Sequence, residues 1–213
     1  MPALQAFIAL GPLAVYLLLL GMVNVSRRPL LTTGSRDFYA LGLAVSGMMV
    51  VGPLELFMPE GASSPIAWML LLALYSMCLT LLILMIRPRL VIYNVTVEQL
   101  RQSLAAVMTR LSLEHRWAGD SLFLPGLGVQ LNVEKFPAMR SVSLVATATE
   151  QSYRGWLQLE RALATELRSL QVEPKPLGYA MICLGILMLG CSLTLMLMNP
   201  QEVAQGFFEL LRM

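Results

Sequence analysis

One carboxylate in this sequence stands where a carboxylate is costly. Glu55 lies in the apolar run Val50-Val51-Gly52-Pro53-Leu54-Glu55-Leu56-Phe57-Met58. Ionisable groups inside a hydrophobic span mark ion or proton pathways. Gly52-Pro53 just before it would loosen a helix and free a carbonyl, as in the broken helices that coordinate ions. Pro59 and Glu60 follow closely, however, so Glu55 stands only about one helical turn, ~5 Å, from a surface to which its side chain can reach. Transport chemistry also needs further polar groups, and the other apolar runs offer only Ser76, Thr80, Ser192 and Thr194. Glu55 is the candidate functional intramembrane residue, with interfacial snorkelling as the competing reading.

The remaining chemistry-bearing residues carry less. The single histidine, His115, has Glu114 and Asp120 near it in sequence, which would suit a general base, but no second positioned group or pocket is marked. One histidine cannot supply a bis-histidine haem site, and zinc-type Cys/His spacing is missing. Cys78, Cys183 and Cys191 lie in apolar runs with no CxxC, so buried free thiols are expected. Gly126-Leu127-Gly128 lacks the third glycine and the following helix of a phosphate loop and reads as a turn before a strand. Asn94-Val95-Thr96 matches a glycosylation acceptor but falls on the side read below as cytoplasmic. Fifteen methionines show no close cluster facing a Cys or His, so flexible packing accounts for them better than copper binding. No catalytic residue, metal site or cofactor is expected, and the chain does not read as an enzyme.

These residues are carried by an unusual chain. Of 213 residues, 57% are apolar and 13% charged, against roughly 25% charged in ordinary soluble domains. Residues 1–26, 61–86 and 176–201 carry no Asp, Glu, Lys or Arg. About 20 apolar residues suffice for a helix to cross the ~30 Å hydrocarbon layer. The expected fold is a multi-pass α-helical membrane protein with four transmembrane helices and a small α+β cytoplasmic domain between helices three and four. The membrane part, 1–86, holds spans at about 3–25, 39–58 and 65–86, and the fourth span is 177–198. The second is the least regular, because Gly52-Pro53 and Glu55 interrupt it. Its small residues Ala40, Ala44 and Gly47, with Gly42 and Ser46 beside them, form a candidate helix-packing face.

Orientation follows from basic residues near the span ends. Arg27, Arg28 and Arg36 lie between the first two spans, Arg87 and Arg89 follow the third, and Lys175 precedes the fourth. Residues 59–64 carry only Glu60. Both termini are therefore expected outside and 87–176 in the cytoplasm of a cell whose plasma (inner) membrane holds the chain.

Residues 87–176 hold eleven of the fifteen basic residues and eight of the thirteen acidic ones. Leu90–Val95 is too short to span and reads as a strand. Thr96 and Gln99 have the spacing of a capping box, opening an amphipathic helix over 97–111. Trp156, Leu159, Leu163, Leu167 and Leu170 mark a second helix over 154–170. Between them lie strand candidates at 116–118, 122–124, 129–134 and 141–146, of which Val129–Glu134 alternates strictly. Grouped strands between helices predict a sheet with both helices on one face. Residues 199–213 begin with Asn199-Pro200 and Glu202 and read as a short amphipathic interfacial helix.

With no catalytic constellation beside a well-patterned small domain, the expected function is that of a non-catalytic integral membrane subunit or scaffold. Its cytoplasmic α+β domain would dock a protein partner. The partners expected are the lipid bilayer and other membrane or cytoplasmic protein subunits, with no nucleic acid. The alternatives are a membrane-tethered sensor of a ligand or lipid headgroup, and a small transporter using Glu55.

Overall fold

The structure is a computed structural model that describes residues 2–53, 65–136, 141–148, 151–201 and 203–204. In chain order the elements are α1 (Pro2–Val25), β1 (Leu30–Thr33), α2 (Gly34–Val51), α3 (Pro65–Met85), β2 (Arg89–Tyr93), α4 (Val97–Arg110), β3 (Arg116–Ala118), β4 (Ser121–Leu124), β5 (Val129–Phe136), β6 (Ser141–Ala146), α5 (Tyr153–Leu167) and α6 (Pro176–Met198). They form two compact units, the first comprising Met1–Gly21, Phe38–Met85 and Ala180–Met213, the second Met22–Asp37 and Ile86–Tyr179.

The first unit is helical. Ala3–Val25, Ile66–Met85 and Pro176–Met198 are long and apolar enough to cross a membrane. Large side chains such as Leu70, Leu84, Ile186 and Leu187 are more than half exposed, as suits helices that are apolar all round and meet lipid rather than water. The expectation for the second span, 39–58, is met only in part. α2 starts earlier, at Gly34, and takes Arg36 and Asp37 into its opening turns. Residues 54–58 lie outside the described residues, and α2 as described is not among the three helices of spanning length and apolarity. Of the C-terminal helix expected over 199–213, Pro200, Gln201, Val203 and Ala204 are helical, and Val203 N donates to Asn199 O at 3.2 Å. Residues 205–213 lie outside the described residues.

The second unit is built on one antiparallel sheet in the order β1-β2-β6-β5-β4-β3. Period-two alternation puts Leu122, Leu124, Val129, Leu131, Val133, Val142, Leu144 and Ala146 on one face, all buried. Two helices cover that face. α4 begins at a complete capping box, with Gln99 N donating to Thr96 Oγ1 and Thr96 N donating to Gln99 Oε1, and buries Leu100, Leu104, Val107 and Met108. α5 begins at Ser152, whose hydroxyl accepts from Gly155 N at 3.2 Å, and buries Trp156, Leu159, Leu163 and Leu167. Gly155 is needed there, because an added Cβ would stand 2.1 Å from the Leu127 carbonyl oxygen. The Gly119-Asp120 pair closes the β3–β4 hairpin, with Gly119 at φ 64°.

One strand comes from outside the expected domain. Residues 26–38, which read as a connecting loop, contain β1, and Leu30, Leu31, Thr32 and Thr33 pair with Tyr93, Ile92, Val91 and Leu90. The outer edge of β2 would otherwise present unpaired backbone groups. The return linker joins the same region: Val172 N donates to Arg27 O at 2.9 Å and Lys175 N to Asn24 O at 3.1 Å. The second unit is thus assembled from two stretches of chain, Met22–Asp37 and Ile86–Tyr179.

Candidate functional site

Glu55 lies outside the described residues. The small-residue face of α2 is described, and within the first unit it is divided. Ala44 and Gly47 are buried and Ala40 is exposed. A Cβ on Gly47 would come 1.9 Å from the carbonyl oxygen of Ile8, so α2 lies directly against the α1 backbone there. Gly42, one face round, meets the Leu79 side chain of α3, and the Tyr75 hydroxyl donates to Gly42 O at 2.7 Å. A second polar link joins Tyr39 Oη and Thr80 Oγ1 at 3.1 Å. Gly185 of α6 packs on α1 less tightly, an added Cβ standing 2.8 Å from Leu18 Cγ and 3.0 Å from Ala14 O. The glycines therefore serve close helix approach inside this unit.

His115 is exposed, and its Nδ1 lies 3.4 Å from Leu113 O. Asp120 does not face it but pairs with Arg101 at 2.7 Å, while the Arg101 guanidinium sits over the Trp117 ring at 5.2 Å. Asp120 is thereby engaged by Arg101, and Arg101, Trp117 and Asp120 tie α4 to the β3–β4 hairpin. Gly126-Leu127-Gly128 forms a turn, with Leu127 closing a 3-10 turn and Gly128 at φ 61°. Asn94 is 1% exposed, so it is not an accessible glycosylation acceptor. It has φ 62°, and its amide donates to Ser26 O at 2.6 Å. Cys78, Cys183 and Cys191 are free, as expected, but exposed on their helices rather than buried. Among the described residues no group of His, Cys, Asp and Glu has metal-binding geometry.

Two surfaces of the second unit were not visible in the sequence. On α5, Arg154, Leu157, Gln158 and Arg161 line a shallow depression, next to a Tyr153 that is 76% exposed. The i, i+3/4, i+7 spacing that gives this outer face is legible, but the inner stripe of Trp and Leu dominates the pattern. The other surface is basic. Antiparallel β1–β2 pairing brings Arg36 to the end of the strand pair that carries Arg87 and Arg89, and leaves Arg27 and Arg28 at its other end. The Arg89 side chain lies over Gly34, where an added Cβ would stand 2.1 Å from its Cγ, and its Nε is buried with no hydrogen-bond partner among the described residues. Asp37, the one acid in these segments, accepts from the Tyr93 hydroxyl at 2.5 Å. At the start of α4, the Glu98 carboxylate is held below the usual carboxylate range, first by its own backbone N–H and next by the Thr96 hydroxyl.

The fold and these surfaces define a mixed α+β protein with three helices of membrane-spanning length and apolarity. Compared with models of protein families, with characterised proteins and with solved structures, the chain matches none.

Proposed function

We propose that this protein is a non-catalytic integral membrane subunit or scaffold whose α+β domain docks a protein partner from the cytoplasm. In this reading four helices span the plasma (inner) membrane, α2 with its continuation to residue 58 being the second. Both termini are outside, and residues 199–213 lie along the outer interface. The arginines at 27, 28, 36, 87 and 89 support the orientation, since basic residues near span ends stay cytoplasmic.

The observation that carries the docking role is the outer face of α5. Exposed Tyr and Arg side chains around a shallow apolar floor are the residue types that dominate protein–protein binding energy, and here Tyr153, Arg154 and Arg161 surround Leu157. The inner face of the same helix is fully engaged by the sheet, so the outer face can change partners without cost to the fold. Purification of the native protein in a mild uncharged detergent tests the reading. A stoichiometric partner should accompany the wild type and be lost from a Tyr153→Ala/Arg161→Ala variant of unchanged abundance. A wild-type particle holding this chain alone, or a partner retained by the variant, would count against it.

A further inference from the structure

We propose that the arginines gathered beside the span ends of the second unit bind the phosphates of anionic glycerophospholipids. Charge placement is the first ground. Residues 26–37 and 86–89 hold five arginines and one acid, whereas residues 90–171 hold eight basic and seven acidic residues, close to balance. The excess charge of the unit is thus concentrated where the chain enters and leaves apolar helices. Arg27 follows the end of α1 by two residues and Arg87 follows the end of α3 by two, so chain connectivity alone holds both guanidinium groups within reach of headgroups.

The fold then brings arginines from two separate segments together at one end of a strand pair. Antiparallel pairing of β1 with β2 sets Thr33 opposite Leu90, which brings the start of α2 with Arg36 beside Arg89. The other end of the same pair of strands carries Arg27 and Arg28, with Asn94 bonded to Ser26 O. None of Arg27, Arg28, Arg36, Arg87 and Arg89 forms an ion pair among the described residues; the pairs found there join Arg101 to Asp120 and Arg110 to Glu166. Asp37, which could have neutralised one of the five, is turned to Tyr93. Arg89 is the most constrained: its stem is seated on Gly34 and its Nε is shielded from water without a partner. A guanidinium presents paired donors to a phosphate, and the packed stem leaves the half-buried Arg89 side chain little freedom, so the part of its guanidinium that stays exposed is held beside Arg36 for a headgroup phosphate to bridge.

The test uses the full chain in an uncharged detergent, titrated with phosphatidylglycerol or phosphatidylcholine and read by native mass spectrometry. Phosphatidylglycerol should be retained at least about tenfold more tightly, since each arginine near an anionic surface contributes about fivefold, or about 1 kcal/mol. Arg36→Gln/Arg89→Gln should lose roughly 25-fold, whereas Arg154→Gln/Arg161→Gln, equal in charge change but away from the span ends, should lose nothing. Arg36→Lys/Arg89→Lys, which keeps the charge, should retain the preference and guards against a folding defect in the glutamine variant. Inorganic phosphate at tens of millimolar should not displace the lipid. Equal retention of the two lipids, an unaffected Arg36→Gln/Arg89→Gln variant, equal loss in the α5 variant, or displacement by inorganic phosphate would each overturn the proposal. No protein partner enters these readouts, so failure here leaves the docking role of α5 to stand or fall by its own experiment.

Discussion

Thr96 shows how much local structure one hydroxyl can set. It accepts from Gln99 N at 3.3 Å to start α4, and it is also one of the groups holding Glu98 in its charged form. Thr96→Ala should cost about 1 kcal/mol in stability, typical of a lost helix N-cap, measurable by denaturant unfolding of the detergent-solubilised chain. The pH dependence has a definite sign. A carboxylate whose folded value is depressed stabilises the native state above its unfolded value and loses that contribution as pH falls through the folded one. Glu98 in wild type should accordingly titrate below the ordinary carboxylate range by carboxyl NMR, and Thr96→Ala should move it part of the way back up. An unmoved Glu98 titration in that variant would remove Thr96 from the account. Trp156 acts at the same scale through packing rather than charge. It is 7% exposed in the sheet–helix core and its indole N–H donates to Gln151 Oε1. Trp156→Ala should destabilise by about 3–5 kcal/mol, and a loss below 1 kcal/mol would show that the α5–sheet contact is not the core described here.

At the scale of elements, the contacts that define the second unit fall into those a sequence can announce and those it cannot. Val129 to Glu134 alternates because one face of β5 is buried, and Trp156 to Leu167 recurs at helical spacing because one face of α5 is; both patterns are local and were readable. β1 was not. Leu30-Leu31-Thr32-Thr33 is four residues of ordinary composition, and what makes it a strand is pairing with residues 90–93, some sixty positions away. No local periodicity records such a partner. The candidate site divides the same way: the arginines were legible one by one as topology signals, but the approach of Arg36 to Arg89 depends on that long-range pairing. The helix-packing face was read as Ala40, Ala44 and Gly47, whereas Ala40 is exposed and Gly42 makes a separate contact with α3, because a helix with two neighbours has two close-packed sides. A fragment of residues 88–173 tests the β1 finding. Without β1 the β2 edge is open, so the fragment should be mixed α+β by circular dichroism yet self-associate with rising concentration by sedimentation, since exposed edges pair with one another. A peptide of residues 26–35 should restore the monomer. A fragment that is monomeric unaided would mean that β1 is dispensable to the sheet. Gly155→Ala tests the other close approach: its Cβ meets backbone at 2.1 Å, which no side-chain rotation relieves, so it should lower thermal stability where Gly190→Ala, in open space, should not.

For the whole molecule, orientation and the role of Glu55, which the sequence reads as an intramembrane carboxylate, decide what kind of machine this is. Single cysteines introduced at Ser63 and Gln205, in a background with Cys78, Cys183 and Cys191 replaced by serine, should react with an impermeant thiol reagent in intact cells, and one at Gln158 should not. Labelling at Gln158 would place the α+β domain outside and remove the cytoplasmic partner from consideration. Given the expected orientation, Glu55 separates a docking protein from a transporter. Docking energy is spread over a patch with a few aromatic or arginine anchors, so loss of one charge that is not such an anchor leaves it intact. Ion or proton passage depends on a titrating group at a fixed depth in the membrane, so loss of the charge stops it. Glu55→Gln preserves the length of the side chain and its hydrogen bonding while removing the charge. The variant should insert, reach normal abundance and retain its partner at wild-type stoichiometry. It should also leave the proton and sodium permeability of reconstituted vesicles unchanged from wild type. An ion flux present with the wild-type protein and abolished by Glu55→Gln at equal abundance would overturn the docking role and assign transport to this carboxylate.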